Sequence, residues 1–223
     1  MAGRILDWRR ELERWLRPFL ERLGHKTRRR MCPVYISGLI GPGDRKSIQP
    51  MAERIALGAY DQLHHFVSAG VWDMVPVEME LLIQADKLVG GRETIGHTPL
   101  VRLGKIANCQ TLVSLTLAHG EVPVMAAMRL FLPESWTDDR ARLKRAGVPV
   151  EYRAARTKPE VALAEIDRVI AAGVRFGCVV ADAGYGLSAR FRQGLTAREL
   201  SWAVGIPRHV KVSASDSSSA IAE

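Results

Sequence analysis

The chain has 223 residues, of which 47% are hydrophobic and 25% are charged, a composition typical of a soluble globular protein and not of a disordered one. No apolar segment approaches transmembrane length and the N-terminus lacks a signal-peptide pattern, so we expect a cytoplasmic protein without membrane contact. The net charge of +8 favours a polyanionic partner, above all nucleic acid.

The positive charge is concentrated at the N-terminus. Residues 1–30 hold ten Lys and Arg against four Asp and Glu, so +6 of the +8 lies there and the rest of the chain is expected to be a more neutral body. A basic arm on such a body predicts a phosphate-binding surface, with a solvated helix face as the alternative.

Apolar residues at three-to-four spacing predict an amphipathic helix at the start of the chain. They are Ile5, Leu6, Trp8, Leu12, Trp15 and Leu16. Pro18 is expected to break or kink this helix, with a short second helix to Leu23 and a C-cap at Gly24. The cations after Gly24 form an exposed basic knuckle that either contacts DNA phosphates or is simply solvated. The predicted DNA-binding residues are Lys26, Arg28, Arg29, Arg30, Arg45 and Lys46.

The next segment resembles a phosphate loop only superficially. Residues 38–47 have glycines at the right separation, but Asp44 and Arg45 stand where the motif requires Gly-Lys-Ser or Gly-Lys-Thr at once. A turn into a helix near Pro50 is simpler. Helices are then predicted over 52–66 and 77–89, so residues 1–90 form a helical, basic DNA-binding module. The adjacent His64 and His65 point apart on a helix and make a poor metal pair.

The pattern changes to strands and helices after residue 108. Alternation over 109–118 and 122–132, with a tight connection between them, predicts an antiparallel hairpin. Pro123 suits only an edge strand or a strand start. Helices are predicted over 138–146, 158–172 and 187–200, and a short strand over 202–206. Residues 91–212 therefore form an α/β domain, and 213–223 a disordered tail.

The most informative stretch is the apolar run 176–182, which ends in Asp182 and precedes a glycine-rich turn. Such a run predicts a buried strand, whose carboxyl end is where open α/β sheets place their chemistry. A carboxylate there is costly to desolvate unless it is hydrogen-bonded or binds a metal. A cap of the following turn or helix is an equal alternative.

The cysteines predict neither a disulfide nor a zinc site. Cys32, Cys109 and Cys178 are far apart and fit no metal-binding spacing. This usage is typical of a reducing compartment.

Several long strings resemble bacterial insertion-sequence transposases of the DDE superfamily, and together they cover most of residues 8–210. The strings are LGHKTRRRMCPVYISGLIGPGDRKSIQPMAERI, ANCQTLVSLTLAHGEVPV, RLFLPESWTDD, VVADAGYGLSARFRQGL and WAVGIPR. The resemblance implies an N-terminal helical module followed by an incomplete ribonuclease H-like mixed sheet with flanking helices. It also implies an Asp-Asp-Glu triad that binds two Mg²⁺ ions for in-line attack on DNA phosphodiesters. Asp182 then corresponds to the second acid, both catalytic and metal-binding, and homo-oligomerisation stays open.

The chain departs from that pattern at the other two acids. No Asp or Glu occurs between Glu93 and Glu121, which suggests an internal deletion that removed the first strand of the sheet and exposes an edge. Asp86 and Glu93 are the nearest acids and have no strand context. The third acid is expected beyond the final strand, where Glu223 is no plausible substitute.

Three hypotheses account for these departures. The first is a DDE transposase fragment with impaired catalysis, and the second is a non-catalytic DNA-binding protein that occupies transposon ends. The third, an unrelated nucleotide-binding α/β enzyme that uses Gly184 and Gly186, has only one glycine pair in its favour.

Overall fold

A computed structural model describes residues 2–43, 45–68, 72–91, 94–96, 111–208 and 210. The chain divides into two compact units, Met1–Gln84 and Ala85–Glu223. No helix in the described ranges is both long and apolar enough to cross a membrane.

The first unit is helical. Its helices are α1 (Ala2–Arg22), α2 (Lys26–Ile40), α3 (Ile48–Ile55), α4 (Tyr60–Ser68) and the beginning of α5 (Val75–Val89), which continues into the second unit. A buried cluster of Met31, Met51, Leu63 and Phe66 joins α2, α3 and α4. This cluster forms a core of the first unit, whereas of the apolar residues predicted to face the core from α1, Leu16 is buried and Trp15 is 47% exposed.

The expected break at Pro18 is wrong, because α1 runs through this residue to Arg22. Leu16, Phe19 and Leu23 are all buried, so the apolar stripe continues on the same face across the proline. Tertiary packing of that stripe offsets the hydrogen bond that proline cannot donate.

The single helix predicted over 52–66 is two helices, α3 and α4, separated by a turn. Gly58 in this turn has a φ of 77°, a left-handed conformation that glycine adopts without strain. The helix predicted over 77–89 is confirmed as α5, and the helix predicted near Pro50 is confirmed as α3.

The basic knuckle predicted after Gly24 is instead the first turn of α2. His25 precedes the helix, and its Nδ1 accepts a hydrogen bond from the Thr27 backbone N–H at 3.2 Å. A side-chain acceptor at this position satisfies a backbone donor that has no partner within the helix. Lys26, Arg28, Arg29 and Arg30 are therefore held on a helix.

The second unit is built on a five-stranded mixed sheet. Its strands are β1 (Thr94–Gly96), β2 (Thr111–His119), β3 (Val122–Phe131), β4 (Cys178–Ala181) and β5 (Trp202–Val204), in the spatial order β3-β2-β1-β4-β5. β2 and β3 form the predicted antiparallel hairpin, with β3 and its Pro123 at the sheet edge. β1 pairs antiparallel with β2 and parallel with β4, and β5 is parallel to β4.

The prediction that the first strand is missing is wrong. Residues 94–96 form β1, which lies between β2 and β4, so no edge is exposed there. With Ile95 as its only large apolar residue, the segment has no strand pattern of its own. Its backbone is ordered by pairing with neighbours on both sides.

Short helices flank the sheet. They are α6 (Glu134–Thr137), α7 (Arg140–Arg145), α8 (Lys158–Ala171), α9 (Ala183–Gly186) and α10 (Ala189–Thr196). The helix predicted over 187–200 is therefore too long, because Ser188 accepts a hydrogen bond from the Phe191 N–H and caps a new helix at Ala189. α8 packs on β2 and β3, where Val113, Leu117 and Ile166 are fully buried.

This strand order, with a preceding helical module and flanking helices, confirms the predicted class: an α/β protein with a partial ribonuclease H-like sheet. Within the described residues β1 and β5 have three residues each, and all five positions of the strand order are occupied.

Candidate active site

The directions of the strands bring several carboxyl ends to one edge of the sheet. β1, β4 and β5 are mutually parallel, and β3 runs the same way because β2 is antiparallel to both β1 and β3. Residues directly after β3 and β4 therefore meet at one edge, which is where α/β sheets place ligands.

Asp182 lies at this edge, directly after β4, as predicted. It is also the N-cap of α9: its Oδ1 accepts hydrogen bonds from the backbone N–H of Gly184 at 2.9 Å and of Tyr185 at 3.3 Å. Its Oδ2 makes no hydrogen bond within the described part of the chain. Asp182 therefore fits both sequence-based alternatives, since it follows a strand and also caps a helix. One carboxylate oxygen makes the cap, and the other is available for other contacts.

Glycines bring the turn after Asp182 close to the end of β5. A Cβ on Gly186 would collide with the carbonyl oxygen of Gly205, and a Cβ on Gly205 would lie 2.9 Å from the Ala183 nitrogen. The Gly205 N–H donates to the Ala181 carbonyl at 2.9 Å. These contacts fix the backbone that carries Asp182, so the glycines position the site by their lack of a side chain.

An open cleft of about 810 Å³ adjoins Asp182. Its lining comes from the segment after β3, the start of α8 and the turn after β4. It includes Phe131, Pro133, Glu134, Arg156, Lys158, Glu160, Asp182 and Tyr185. A cleft of this size with convergent charged groups is the default candidate for a functional site.

Two further carboxylates line the cleft, but one has a structural task. Glu160 forms a capping box with Thr157, whose N–H and hydroxyl both donate to Glu160 Oε2, at 2.7 and 2.9 Å. These hydrogen bonds, assisted by the charges of Arg190 and Arg156, hold the pKa of Glu160 below its usual value. Glu134 is exposed at the first residue of α6. Neither acid was predicted, because both lie outside the strand pattern used to find Asp182.

Tyr185 borders the same cleft with a largely buried ring packed on Phe191, their centroids 5.3 Å apart. Burial, and then the negative charge of Asp182, raise the pKa of the Tyr185 phenol well above its ordinary value. The phenol is therefore a neutral hydrogen-bonding group at physiological pH and not a base.

Asp86, the described candidate for the first triad position, is paired with an arginine. Asp86, in α5, pairs with Arg175: its Oδ1 accepts from the Arg175 backbone N–H at 2.8 Å, and its Oδ2 from Nη2 at 3.1 Å. Burial raises the pKa of Asp86, but these hydrogen bonds and the guanidinium charge outweigh burial and leave the pKa below its usual value. Glu93 and Glu223 lie outside the described residues.

The described residues do not fit a two-magnesium centre. Mg²⁺ requires near-octahedral oxygen ligation and dehydrates reluctantly. Within the described residues, no three His, Cys, Asp or Glu side chains lie close enough together to hold a metal ion. One oxygen of Asp182 is already used by the α9 cap, and the sequence has no Asp or Glu from residue 94 to 120, the stretch that begins with β1. No reaction step through a bound metal can be derived from this arrangement.

The predicted DNA-binding residues lie in the first unit. Three arginines of α2 have partners within that unit: Arg28 lies 5.5 Å from the Trp72 ring, Arg29 donates to the Gly24 carbonyl at 3.1 Å, and Arg30 donates to Gln62. Lys26, Arg45 and Lys46 are exposed, and Lys46 Nζ donates to the Gly41 carbonyl at 2.5 Å. The cations thus combine contacts that hold α2 in place with outward-facing charge.

A mixed α/β protein with a carboxylate at the carboxyl edge of a ribonuclease H-like sheet belongs structurally to the nuclease-type folds. The family model of the DDE superfamily endonucleases matches residues 18–219. The chain belongs to this family, whose members act on DNA. Neither the curated proteins nor the solved structures include a chain with significant similarity to it.

Proposed function

We propose that this protein is an insertion-sequence transposase of the DDE type that binds DNA and is impaired in cutting it. Family membership supports the reaction class, DNA cleavage and strand transfer with Mg²⁺. The observation that carries the impairment is that no three Asp, Glu, His or Cys side chains of the described residues lie close enough together to hold a metal ion. β1 pairs with β4, the strand that precedes Asp182, and the chain has no Asp or Glu between β1 and residue 121. A single carboxylate rarely holds two metal ions in competition with water.

The DNA-binding part of this proposal assigns Lys26, Arg28, Arg29, Arg30, Arg45 and Lys46 to contacts with phosphates. Exposed Lys and Arg side chains at high local density supply sequence-independent affinity for DNA. We further propose that the protein is cytoplasmic, since its cysteine usage suits a reducing compartment. We also propose that the DNA-binding module spans residues 1–90 and the α/β domain residues 91–212.

A DNA-binding measurement with matched variants tests this assignment. The module variant carries Lys26→Gln, Arg29→Gln and Arg30→Gln, which leaves Arg28 over Trp72. The control variant carries Arg10→Gln, Arg14→Gln and Arg17→Gln, three exposed arginines of α1. Both lose three charges, and fluorescence anisotropy with the DNA that flanks the protein's own gene gives affinity against salt concentration.

The module variant should bind more weakly, with a salt slope smaller by about 0.9 for each phosphate that is no longer neutralised. The control loses the same charge from a different helix of the basic segment and should lose less affinity than the module variant. Equal affinities and slopes for all three proteins would contradict the assignment of these residues.

The second candidate function is a non-catalytic protein that occupies transposon ends and competes with an intact transposase. The same absence of acids over residues 94–120 favours it. If it is correct, adding this chain to an active transposase of matching end specificity inhibits cleavage in proportion to the occupied ends. If it is wrong, cleavage by the active enzyme proceeds unchanged.

A further inference from the structure

The second unit carries a concentration of positive charge as large as that of the N-terminal arm. Residues 140–158, here termed the basic excursion, connect α6 to α8 and hold seven Lys and Arg against one acid, Glu151, for a net charge of +6. The cations are Arg140, Arg142, Lys144, Arg145, Arg153, Arg156 and Lys158. The expectation of a more neutral body is correct for residues 31–223 as a whole, whose net charge is +2, but not for this segment. Its excess is offset mainly by residues 31–84, which hold three Lys and Arg against six Asp and Glu.

Local structure directs much of this charge outward. Leu143 is buried and anchors α7, while Arg140, Lys144 and Arg145 around it are exposed. Asp139 caps the helix by accepting the Arg142 N–H at 2.8 Å. α7 thus presents several exposed cations on a short helix that Leu143 anchors.

Other cations of the excursion hold its shape. The Arg142 guanidinium stacks 3.8 Å from the Trp136 ring centroid, and Arg153 Nε donates to the Val148 carbonyl at 2.7 Å. Lys158 Nζ lies 5.3 Å from the Phe131 ring centroid. In contrast, the side chains of Lys144, Arg145 and Arg156 are exposed and make no hydrogen bond or salt bridge with another described residue, although the charge of Arg156 acts on Glu160.

The C-terminal end of the excursion reaches the cleft that contains Asp182. Arg156 and Lys158 line this cleft, and so do Pro133 and Glu134, which lie before the excursion in the chain. Two of the seven cations therefore belong to the wall of the Asp182 cleft, and α7 carries four of the others.

From this arrangement we infer that the basic excursion binds the sugar–phosphate backbone of duplex DNA beside Asp182. Duplex DNA carries one negative charge per about 1.7 Å of helix axis, and clustered Lys and Arg bind it by displacing its counterions. The excursion holds seven cations but a single aromatic residue, the half-exposed Tyr152, and this composition favours contact with phosphates over stacking on bases. The inference rests on the proposed function in one respect, that the protein works on DNA.

The test uses the full chain and a duplex of random sequence of about 30 base pairs, long enough to span several phosphates on each face. The excursion variant carries Lys144→Gln, Arg145→Gln and Arg156→Gln, and it is compared with the module variant and with the α1 control variant. All three lose three charges, and thermal unfolding checks that each remains folded. Anisotropy titrations across a salt series, with and without polyglutamate as a competing acidic polypeptide, give affinity and salt slope.

The excursion variant should bind at least about tenfold more weakly at about 0.1 M salt, and its slope should fall by up to about 2.7, or about 0.9 per phosphate. Wild-type affinity in this variant, or an equal reduction in the α1 control, overturns the inference. So does displacement of the DNA by polyglutamate at equal charge concentration, which indicates an acidic protein partner.

The variants distinguish failure of this inference from failure of the N-terminal DNA-binding assignment. Weaker binding in the excursion variant alone supports the inference and contradicts the N-terminal assignment. Weaker binding in the module variant alone does the reverse, and a wild-type chain that binds no DNA contradicts both.

Discussion

At the scale of single residues, Asp182 is the central side chain of the candidate site because it has two roles. One carboxylate oxygen closes the first turn of α9 and the other is left to the cleft. An acid that serves only as a metal ligand has no need of the first contact, and a cap has no need of the second. Substitutions that separate these roles are therefore informative.

We predict that Asp182→Ala lowers the free energy of unfolding by about 1 kcal/mol, whereas Asp182→Asn lowers it by less. Asparagine retains a side-chain oxygen and caps helices about as well as aspartate, but alanine cannot cap. Urea unfolding of the three proteins measures the difference. Equal stability of the Ala and Asn variants would show that the Gly184 and Tyr185 contacts contribute nothing.

Cys32 offers a second test at this scale. Burial raises the pKa of its thiol to about 11. Because the thiolate is the reactive form, we expect Cys32 to react slowly with Ellman's reagent at about pH 8 in the folded protein and rapidly in urea. A chain with Cys109→Ser and Cys178→Ser isolates the signal. Rapid reaction at this pH without denaturant would contradict the partly buried position of Cys32 in α2.

At the scale of elements, a buried carboxylate joins α8 to β3. Glu165 accepts from Arg129 Nε at 2.6 Å and from Arg168 Nε at 2.9 Å, and its side chain is only 9% exposed. Removing the central carboxylate of such a group takes away the buried negative charge that both arginines contact. We expect Glu165→Ala to lower the free energy of unfolding by about 3 kcal/mol or more.

A control on the same helix is available. Asp167 pairs with Arg198 at 2.5 Å, but its side chain is 52% exposed, so Asp167→Ala should cost no more than about 1 kcal/mol. Denaturant unfolding of both variants gives the comparison. If Asp167→Ala costs as much as Glu165→Ala, burial is not the property that gives the α8–β3 contact its strength.

The close approach between the Asp182 turn and β5 gives another prediction at this scale. Gly186→Ala places a methyl group against the Gly205 carbonyl, and such overpacking typically costs about 1–3 kcal/mol. Gly184→Ala is the milder comparison, since its Cβ meets only the flexible Asp182 side chain, at 3.1 Å from Oδ1. Hydrogen exchange of the Gly205 N–H should accelerate in the first variant and change less in the second. Unchanged exchange in Gly186→Ala would contradict this packing.

At the scale of the whole molecule, the parts that sequence predicts well are those with a strong local signal. The hairpin alternates over strands of 9 and 10 residues around a tight turn, and β4 is an apolar run that ends in an acid. The pattern therefore locates all three strands before any tertiary contact is considered. The cap on Asp182 is also a stated alternative, because an acid before a glycine-rich turn commonly caps the helix after it.

The parts that sequence misses depend on tertiary context or on how charge is counted. β1 has three residues and no strand pattern, and it exists because β2 and β4 pair with it on both sides. Glu134, Arg156 and Lys158 reach the cleft only because α6 and α8 begin beside it. Counting charges in successive segments, and not just in residues 1–30 and the remainder of the chain, identifies the basic excursion from sequence alone.

The central claim, which is a proposal, is that Asp182 lies at the expected position of a nuclease-type fold but lacks the two other acids of the triad that efficient DNA cleavage requires. The most direct test is a time course of supercoiled plasmid and gene-flanking DNA incubated with the full chain and Mg²⁺, with Asp182→Asn and EDTA as controls. We predict binding without Mg²⁺-dependent nicking, and identical backgrounds in all samples. Nicking that requires Mg²⁺ and disappears in Asp182→Asn would contradict the claim.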